Sequence, residues 1–389
     1  MMLRRALPGL VSLYGCSLAR AQTPPVTGSE APPAVVAFEG DPEGRETQVT
    51  VRAGPGLAGR TVLGRVTHVD GAALRGLVLA GRDSARPTVL VTAATHRTVR
   101  ASAYTASLFR VDATGASTTL CDQVAELSTP LQTANGTVLV QRGRDGDEPV
   151  DDGTRQFRER EDQLEIAAIA PSTGRLRTVW QGRGQLAFLA AALQGDEVAV
   201  YWVHNGASTL MALDARTGAQ RVLCQNLPVA RDFSYDPVHR RVVFARATQD
   251  PQQYEVAAVS ALGGPVTVLA RGASDRLMPA ALGDGAVAFS RPDAQGLGLV
   301  AASANVGPPT RAGAAPEGAV SWVTPFALQG PGTDAVVAQH SSGRWIVRHT
   351  DSARQEWSLW SRATRQVIVP SSPEAAIELV GFVPEGAAR

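Results

Sequence analysis

The peptide "LMALDARTGAQRVLC", residues 210–224, reads as a strand, a glycine turn and a second strand, and relatives of it recur along the chain. "SLFRVDATGASTTLC" stands at 107–121, "EIAAIAPSTGRLRTVW" at 165–180 and "YEVAAVSALGGPVTVLA" at 254–270, with weaker copies at 298–313 and 358–369. Aligned on Gly115, Gly174, Gly218, Gly263, Gly307 and Arg365, the copies are spaced 59, 44, 45, 44 and 58 residues apart. Regular spacing of this size marks a repeat architecture, in which each unit buries its apolar faces only against its neighbours.

A second turn recurs out of phase with the first, at Asn135-Gly136, Gly195-Asp196, Val238-His239, Asp284-Gly285 and Gly332-Thr333. Each is followed by an apolar run, from "TVLVQRG" to "DAVVAQH". Asn-Gly and Gly-Asp suit hairpins because they tolerate positive φ. Four strands and two hairpins in about 44 residues is the size of one β-propeller blade. The strand–turn–strand at 48–66 adds a seventh turn site upstream, and "AAIELVGFV" at 375–383 supplies one strand more to close the ring. The expected fold is therefore an all-β propeller of four-stranded blades, seven in number, with six blades plus an irregular N-terminal sheet as the alternative. A single propeller domain spans 35–385, and in it the apolar segments "LAFLAAAL" and "LMPAAL" form inner strands lining an apolar channel.

"FSYDPVHRRVVFARATQDPQQYEVAAVSALGGPVTVLA", residues 233–270, resembles the repeat of TolB-like propellers, the PD40-type relatives of the WD40 proteins. An aromatic-Ser strand, a turn, an apolar strand and a strand leading to Gly-Gly carry the resemblance, which extends in part over 278–305. It implies a propeller and an exported setting. The Gly-His and Trp-Asp signature of WD repeats proper is absent from the sequence, as is the separate N-terminal domain that TolB carries.

The first residues agree with export. Arg4 and Arg5 precede the apolar stretch Ala6 to Leu18, too short to cross a bilayer as a helix. Ala19-Arg20-Ala21 places small residues for cleavage before Gln22, making 1–21 a signal peptide. Alternatively, Leu13-Tyr14-Gly15-Cys16 resembles a lipobox, which would release 1–15 and leave a lipidated Cys16. The proline-rich segment 22–34 reads as a tether. Such a chain is expected in the periplasm or anchored to the outer membrane of a bacterium, touching membrane only through a lipid.

With 37 basic residues, all arginine, against 36 acidic ones, the chain offers no net field for nucleic acid. Gly-x-Ser-x-Gly and Cys-x-x-Cys are both missing from the sequence. Asp145, Asp147, Asp151 and Asp152 in the acidic insert could offer oxygens to calcium, but Pro149 interrupts the spacing of a calcium loop. Cys121 and Cys224 each lie six residues after a turn glycine, as do Trp180 and Leu269, so all four read as core positions and the two cysteines as too far apart to bridge. His204 and His340 both follow what reads as a second strand and would share one ring face. Trp322, Phe326, Trp345, Trp357 and Trp360 gather in the final repeat, where Trp345 and Trp357 could form an exposed patch for a protein partner. The function expected from these features is a monomeric, non-enzymatic scaffold of the cell envelope that binds protein through one ring face and needs no cofactor. The alternative is a propeller enzyme of lactonase or lyase kind, with a metal at the channel mouth.

Overall fold

A strand whose side chains are apolar on both sides must be covered on both sides. "EVAVYWVH" and "RVVFARA" are of this kind: Val198 and Val200 face one neighbour, Ala199 and Tyr201 the other. The computed structural model describes residues 32–384 apart from 42, 80–86, 98–102, 113, 127, 147–160, 251–252, 273–276, 292–295, 301–319, 323–332, 351–354, 361–364 and 370–375, and nearly all of its regular structure is β. The segment 1–31, with both processing sites and Cys16, lies outside the described residues.

The first sheet holds β1 (Val35–Gly40), β2 (Glu46–Ala53) and β3 (Gly59–Thr67). A long sheet follows, made of β4 (Arg75–Leu79), β5 (Thr88–Ala94), β6 (Ala106–Val111), β7 (Ser117–Val124), β8 (Leu131–Gln132), β9 (Val138–Arg144), β10 (Asp162–Ile169) and β11 (Leu176–Gly184). Next come β12 (Leu186–Ala192), β13 (Glu197–His204), β14 (Ala207–Asp214) and β15 (Gln220–Gln225), then β16 (Ala230–Asp236), β17 (Arg241–Ala247), β18 (Tyr254–Ser260) and β19 (Thr267–Gly272). The last two sheets are β20 (Ala280–Ala281), β21 (Val287–Arg291), β22 (Gly296–Val300) and β23 (Val320–Trp322), and β24 (Thr333–Gln339), β25 (Trp345–Thr350), β26 (Gln355–Trp360) and β27 (Arg365–Val369). The final strand, β28 (Ala376–Phe382), returns to pair antiparallel with β1, so the C-terminus completes the first sheet in the order β28-β1-β2-β3.

Every pairing inside these sheets is antiparallel, and the eight-stranded sheet is continuous only through the single Val124–Arg142 pair. Among the described residues there are six sheets; divided at that pair, they make seven four-stranded arrays, hereafter called blades 1 to 7 in chain order. The hydrophobic core is distributed in the same way. Leu139, Leu164 and Ile166 of blade 3 pack on Val198, Met211 and Leu213 of blade 4. Val243 and Val256 of blade 5 meet Val287 and Phe289 of blade 6. Ile346, Trp357 and Leu359 of blade 7 meet Val35, Ala37 and Leu379 of blade 1, which closes the ring. The stability of each blade therefore rests on both neighbours.

The repeating glycine has a physical cause. Gly115, Gly174, Gly218 and Gly263 all sit at positive φ in the turn between the third and fourth strands. A side chain on Gly174 would meet the Leu120 carbonyl at 2.9 Å, and one on Gly218 would meet that of Val179 at 2.9 Å. Both carbonyls belong to residues skipped by the pairing of a fourth strand, at a register shift that recurs between third and fourth strands. So the bulge on one blade seats the turn of the next. The last blade departs from the sequence expectation. "DAVVAQH" is its first strand, not its second, and the segment 341–357 that follows it contains β25 and the start of β26. Near the N-terminus, the last residues of the expected tether belong to the folded body: Pro32 is buried, and the Ala34 carbonyl accepts the Val383 N–H at 2.8 Å.

Candidate functional site at the crossover face

Alternating strand direction gives the ring two unlike faces. One carries the first-to-second and third-to-fourth turns and is called the turn face. The other carries the second-to-third loops and the blade-to-blade crossings and is called the crossover face.

Arginines and carboxylates stitch the turn face together. Arg110 donates to the carbonyl oxygens of Pro171 and Ser172 at 3.2 and 3.0 Å, and Arg177 donates to that of Ala215 at 2.6 Å. Arg221 likewise reaches the Ala261 carbonyl. Each of these links joins a blade to the turn of the next. Asp196 accepts from Asn135 at 3.1 Å and from the Thr137 hydroxyl at 3.2 Å, tying blades 3 and 4. In blade 5 the fully buried Asp236 accepts from Arg241 at 2.9 Å and lies 2.7 Å from His239 Nδ1.

The crossover face is indented instead. Cavities of about 530, 260 and 250 Å³ open on it. The largest lies at the ends of β9 and β11 and the start of β10, beside Gln123 of β7. The second lies between blades 1 and 2, beside the buried His68. There the ring Nδ1–H donates to the Val69 carbonyl at 2.8 Å, which leaves Nε2 to face the Thr47 hydroxyl at 2.8 Å. The third brings Arg231 and Asp232 of β16 and Met278, just before β20, together with Thr333 at the start of β24 and Arg348 and Thr350 near the end of β25.

Backbone strain marks the same face. Leu57, Asn205, Asn226 and Arg240 adopt positive φ in turns or just after a strand. Among the described residues, the other non-glycine residues of this kind are Gln123 (φ 58), Asp232 (φ 54) and Met278 (φ 42), and each lines a cavity of the crossover face. Left-handed backbone at an ordinary side chain costs of order 1–2 kcal/mol and persists only where the surroundings impose it.

The third cavity corrects the expectation of an apolar channel. Its mouth carries ionisable groups: Arg231 stands over the Tyr254 ring at 4.9 Å from its centroid, and Arg348 pairs with Glu378 at 3.4 Å. The innermost strand "ARDFSYD" of blade 5 showed these charges in the sequence, whereas "LAFLAAAL" and "LMPAAL" did not. Beside the mouth, Asp334 and His349 are almost completely buried, with His349 Nδ1 and Asp334 Oδ1 3.1 Å apart. Their cross-strand pairing on β24 and β25 was hidden by the misread strand order of the last blade.

Other expected sites fall differently. Trp345 and Trp357 are 3% and 1% exposed, so they form no surface patch. Trp345 packs on Leu282 and Ala288 of blade 6, and Trp357 fills the seam with blade 1 and donates its Nε1–H to the Ile377 carbonyl at 2.9 Å. Large rings fill both seams that flank blade 7. His204 ends a second strand while His340 follows a first strand, which puts them on opposite ring faces. Asp145 is exposed; Asp147, Asp151 and Asp152 lie outside the described residues. Among the described residues, no group of three or more His, Cys, Asp or Glu side chains is placed to hold a metal ion.

Cys121 and Cys224 are free thiols at matching fourth-strand positions, paired with Leu108 and Leu210. The matching residue of blade 5 is Ala270, not Leu269, because Gly263-Gly264 shifts the register by one residue. Burial pushes both thiols up to about 11, so neither is a nucleophile at neutral pH.

These features define a β-propeller with one face of arginine-to-turn links and one indented, charged face. No protein-family model matches the chain, and no curated protein matches it in sequence. Among solved structures, TolB from Acinetobacter baumannii is similar at 10% identity, over 91% of this chain and 67% of that one, with a TM-score of 0.49. A puromycin-hydrolysing peptidase from Mycobacterium tuberculosis is similar at 12% identity, over 86% of this chain and 53% of that one, with a TM-score of 0.51. Prolyl oligopeptidase B from Galerina marginata is similar at 10% identity, over 87% of this chain and 51% of that one, with a TM-score of 0.51. This chain thus spans about half the length of those two peptidases. Likeness at such identities is a likeness of fold.

Proposed function

We propose that the chain is an exported propeller of the bacterial cell envelope, a monomeric and non-enzymatic scaffold that holds a protein partner against its crossover face. The observation that carries this reading is the contrast between the faces. Charged cavities and strained residues gather on the crossover face, while side chains and carbonyl oxygens of the turn face are spent on one another. Binding surfaces are drawn from loops held by a rigid scaffold, and strain concentrates where ligands are held. The N-terminal segment, with release before Gln22 or lipidation of Cys16, supports export.

A photo-crosslinking residue placed at His96 or Val229 on the crossover face, or at Val238 or Leu262 on the turn face, tests the reading in living cells. All four positions are exposed. Adducts with another protein are expected from His96 and Val229 alone; adducts from the turn-face pair alone, or from none, overturn it. Intact mass of the exported protein separates a chain beginning at Gln22 from one carrying lipid on Cys16.

The charged channel mouth favours one competing reading, a propeller enzyme of lactonase or lyase kind with a bound metal. Its mark would be a melting temperature that rises with added calcium.

A further inference from the structure

The molecule contains an arginine–carboxylate–arginine row and, in another blade, the same row with its centre left neutral. In blade 5, Arg246, Glu255 and Arg271 are direct cross-strand neighbours on β17, β18 and β19. The central carboxylate is buried, with Arg246 at 2.6 Å on one side and Arg271 at 4.0 Å on the other. Blade 3 repeats this pattern at the equivalent place, where Arg142 of β9 holds Glu165 of β10 at 2.9 Å and Gln181 of β11 stands beyond.

Two residues further toward the crossover face, Arg144, Gln163 and Arg183 occupy the same strands in the same cross-strand register. Here the centre is an amide. Direct cross-strand neighbours have Cβ atoms about 5 Å apart, so the two guanidinium groups spring from either side of Gln163. Both arginines are exposed, and neither guanidinium makes an ion pair among the described residues. All three residues line the cavity of about 530 Å³ beside the strained Gln123. That volume lies within the range of ligand pockets and accommodates a short peptide segment.

We propose that this row is a carboxylate site. An aspartate or glutamate side chain of a partner peptide sits over Gln163, accepts from its amide N–H and is clasped by Arg144 and Arg183, as Glu255 is clasped in blade 5. Paired guanidinium groups suit a carboxylate because each presents two parallel N–H donors. The proposal rests on the reading of the crossover face as the partner face and names the chemistry of the partner segment.

The experiment measures binding of a fluorescein-labelled hexaglutamate peptide to the full chain by anisotropy, with a hexaglutamine peptide and inorganic phosphate as the other arms. Hexaglutamate is expected to bind and hexaglutamine not. Gln163→Glu, which fills the site from within, should weaken binding at least tenfold while raising the melting temperature. Arg144→Gln combined with Arg183→Gln should weaken it as much with no change in melting temperature. Hexaglutamate binding unaffected by Gln163→Glu, or absent altogether, overturns the proposal. Phosphate binding that Gln163→Glu abolishes, with no peptide binding, overturns it in favour of a phosphate site. Should Gln163→Glu fail to fold, the double arginine variant decides alone. Crosslinking at His96 and Val229 does not depend on this row, so loss of the carboxylate site and loss of the partner face give different results.

Discussion

The turn face and the crossover face are built from the same strands, yet they treat polar groups in opposite ways. On the turn face Arg110, Arg177 and Arg221 each reach the carbonyl oxygens of the following turn, and Asp236 is buried among its donors. On the crossover face Arg144 and Arg183 stand on either side of Gln163 of β10, and neither makes an ion pair among the described residues. A ring of blades needs its neighbours locked together, and on the turn face one arginine-to-turn link recurs from blade to blade. The crossover end carries blade-to-blade links of other kinds, such as Arg348 to Glu378 and Trp202 to the Arg183 carbonyl, and beside them leaves the Arg144 and Arg183 guanidinium groups for a ligand.

This contrast can be broken or sharpened by substitution. The largest effect is expected on the turn face, for Asp236→Ala. Arg241 would lose its buried partner, and removal of one member of such a pair costs about 3–5 kcal/mol. Chemical denaturation should show a corresponding fall in the unfolding midpoint. Gly218→Val comes next. It forces a β-branched residue to φ 76 and toward the Val179 carbonyl, for an expected loss of roughly 2 kcal/mol or more by the same measurement.

Alkaline pH probes the seams between the faces. The Cys121 thiol keeps its proton to about 11 in the folded chain because burial disfavours the thiolate, against a value of 9.0 without that burial. The folded state therefore binds more protons than the unfolded one between these values, and stability is complete below pH 9 and falls as pH rises through about 11. Melting temperatures across that window should fall less steeply for Cys121→Ala than for the unaltered chain. A loss of about 1 kcal/mol is expected for Asp214→Ala, which removes the carboxylate that accepts the Thr217 and Arg216 backbone N–H groups at 2.7 and 2.9 Å. Arg183→Ala should change stability least, by no more than about 0.5 kcal/mol, because its exposed guanidinium makes no ion pair among the described residues. A large loss of stability there would erase the difference between the faces.

Much of the ring was legible in the chain, for local reasons. "DARTG" and "DATG" announce their turns because Asp214 and Asp112 cap backbone N–H groups two residues on and the glycines accept positive φ. Apolar runs on consecutive residues announce strands covered on both sides, as in "AVY" at 199–201. The last blade was misread because "DAVVAQH" is as apolar as a second strand, and no local signal says which strand of a blade it is. The burial of Trp345 and Trp357 is not legible for a related reason: which seam between blades a ring fills is a tertiary matter. The Arg144–Gln163–Arg183 row escaped notice because it joins residues brought together only by register, although the Arg246–Glu255–Arg271 row follows the same rule.

Hydrogen exchange on the complex with the partner captured at Val229, set against the free chain, tests the division of labour between faces most directly. Slower exchange should appear at 68–74, 142–144, 163–165 and 226–232 on the crossover face, with 133–137, 193–196 and 215–219 on the turn face unchanged. Protection confined to those turn-face segments would contradict the account.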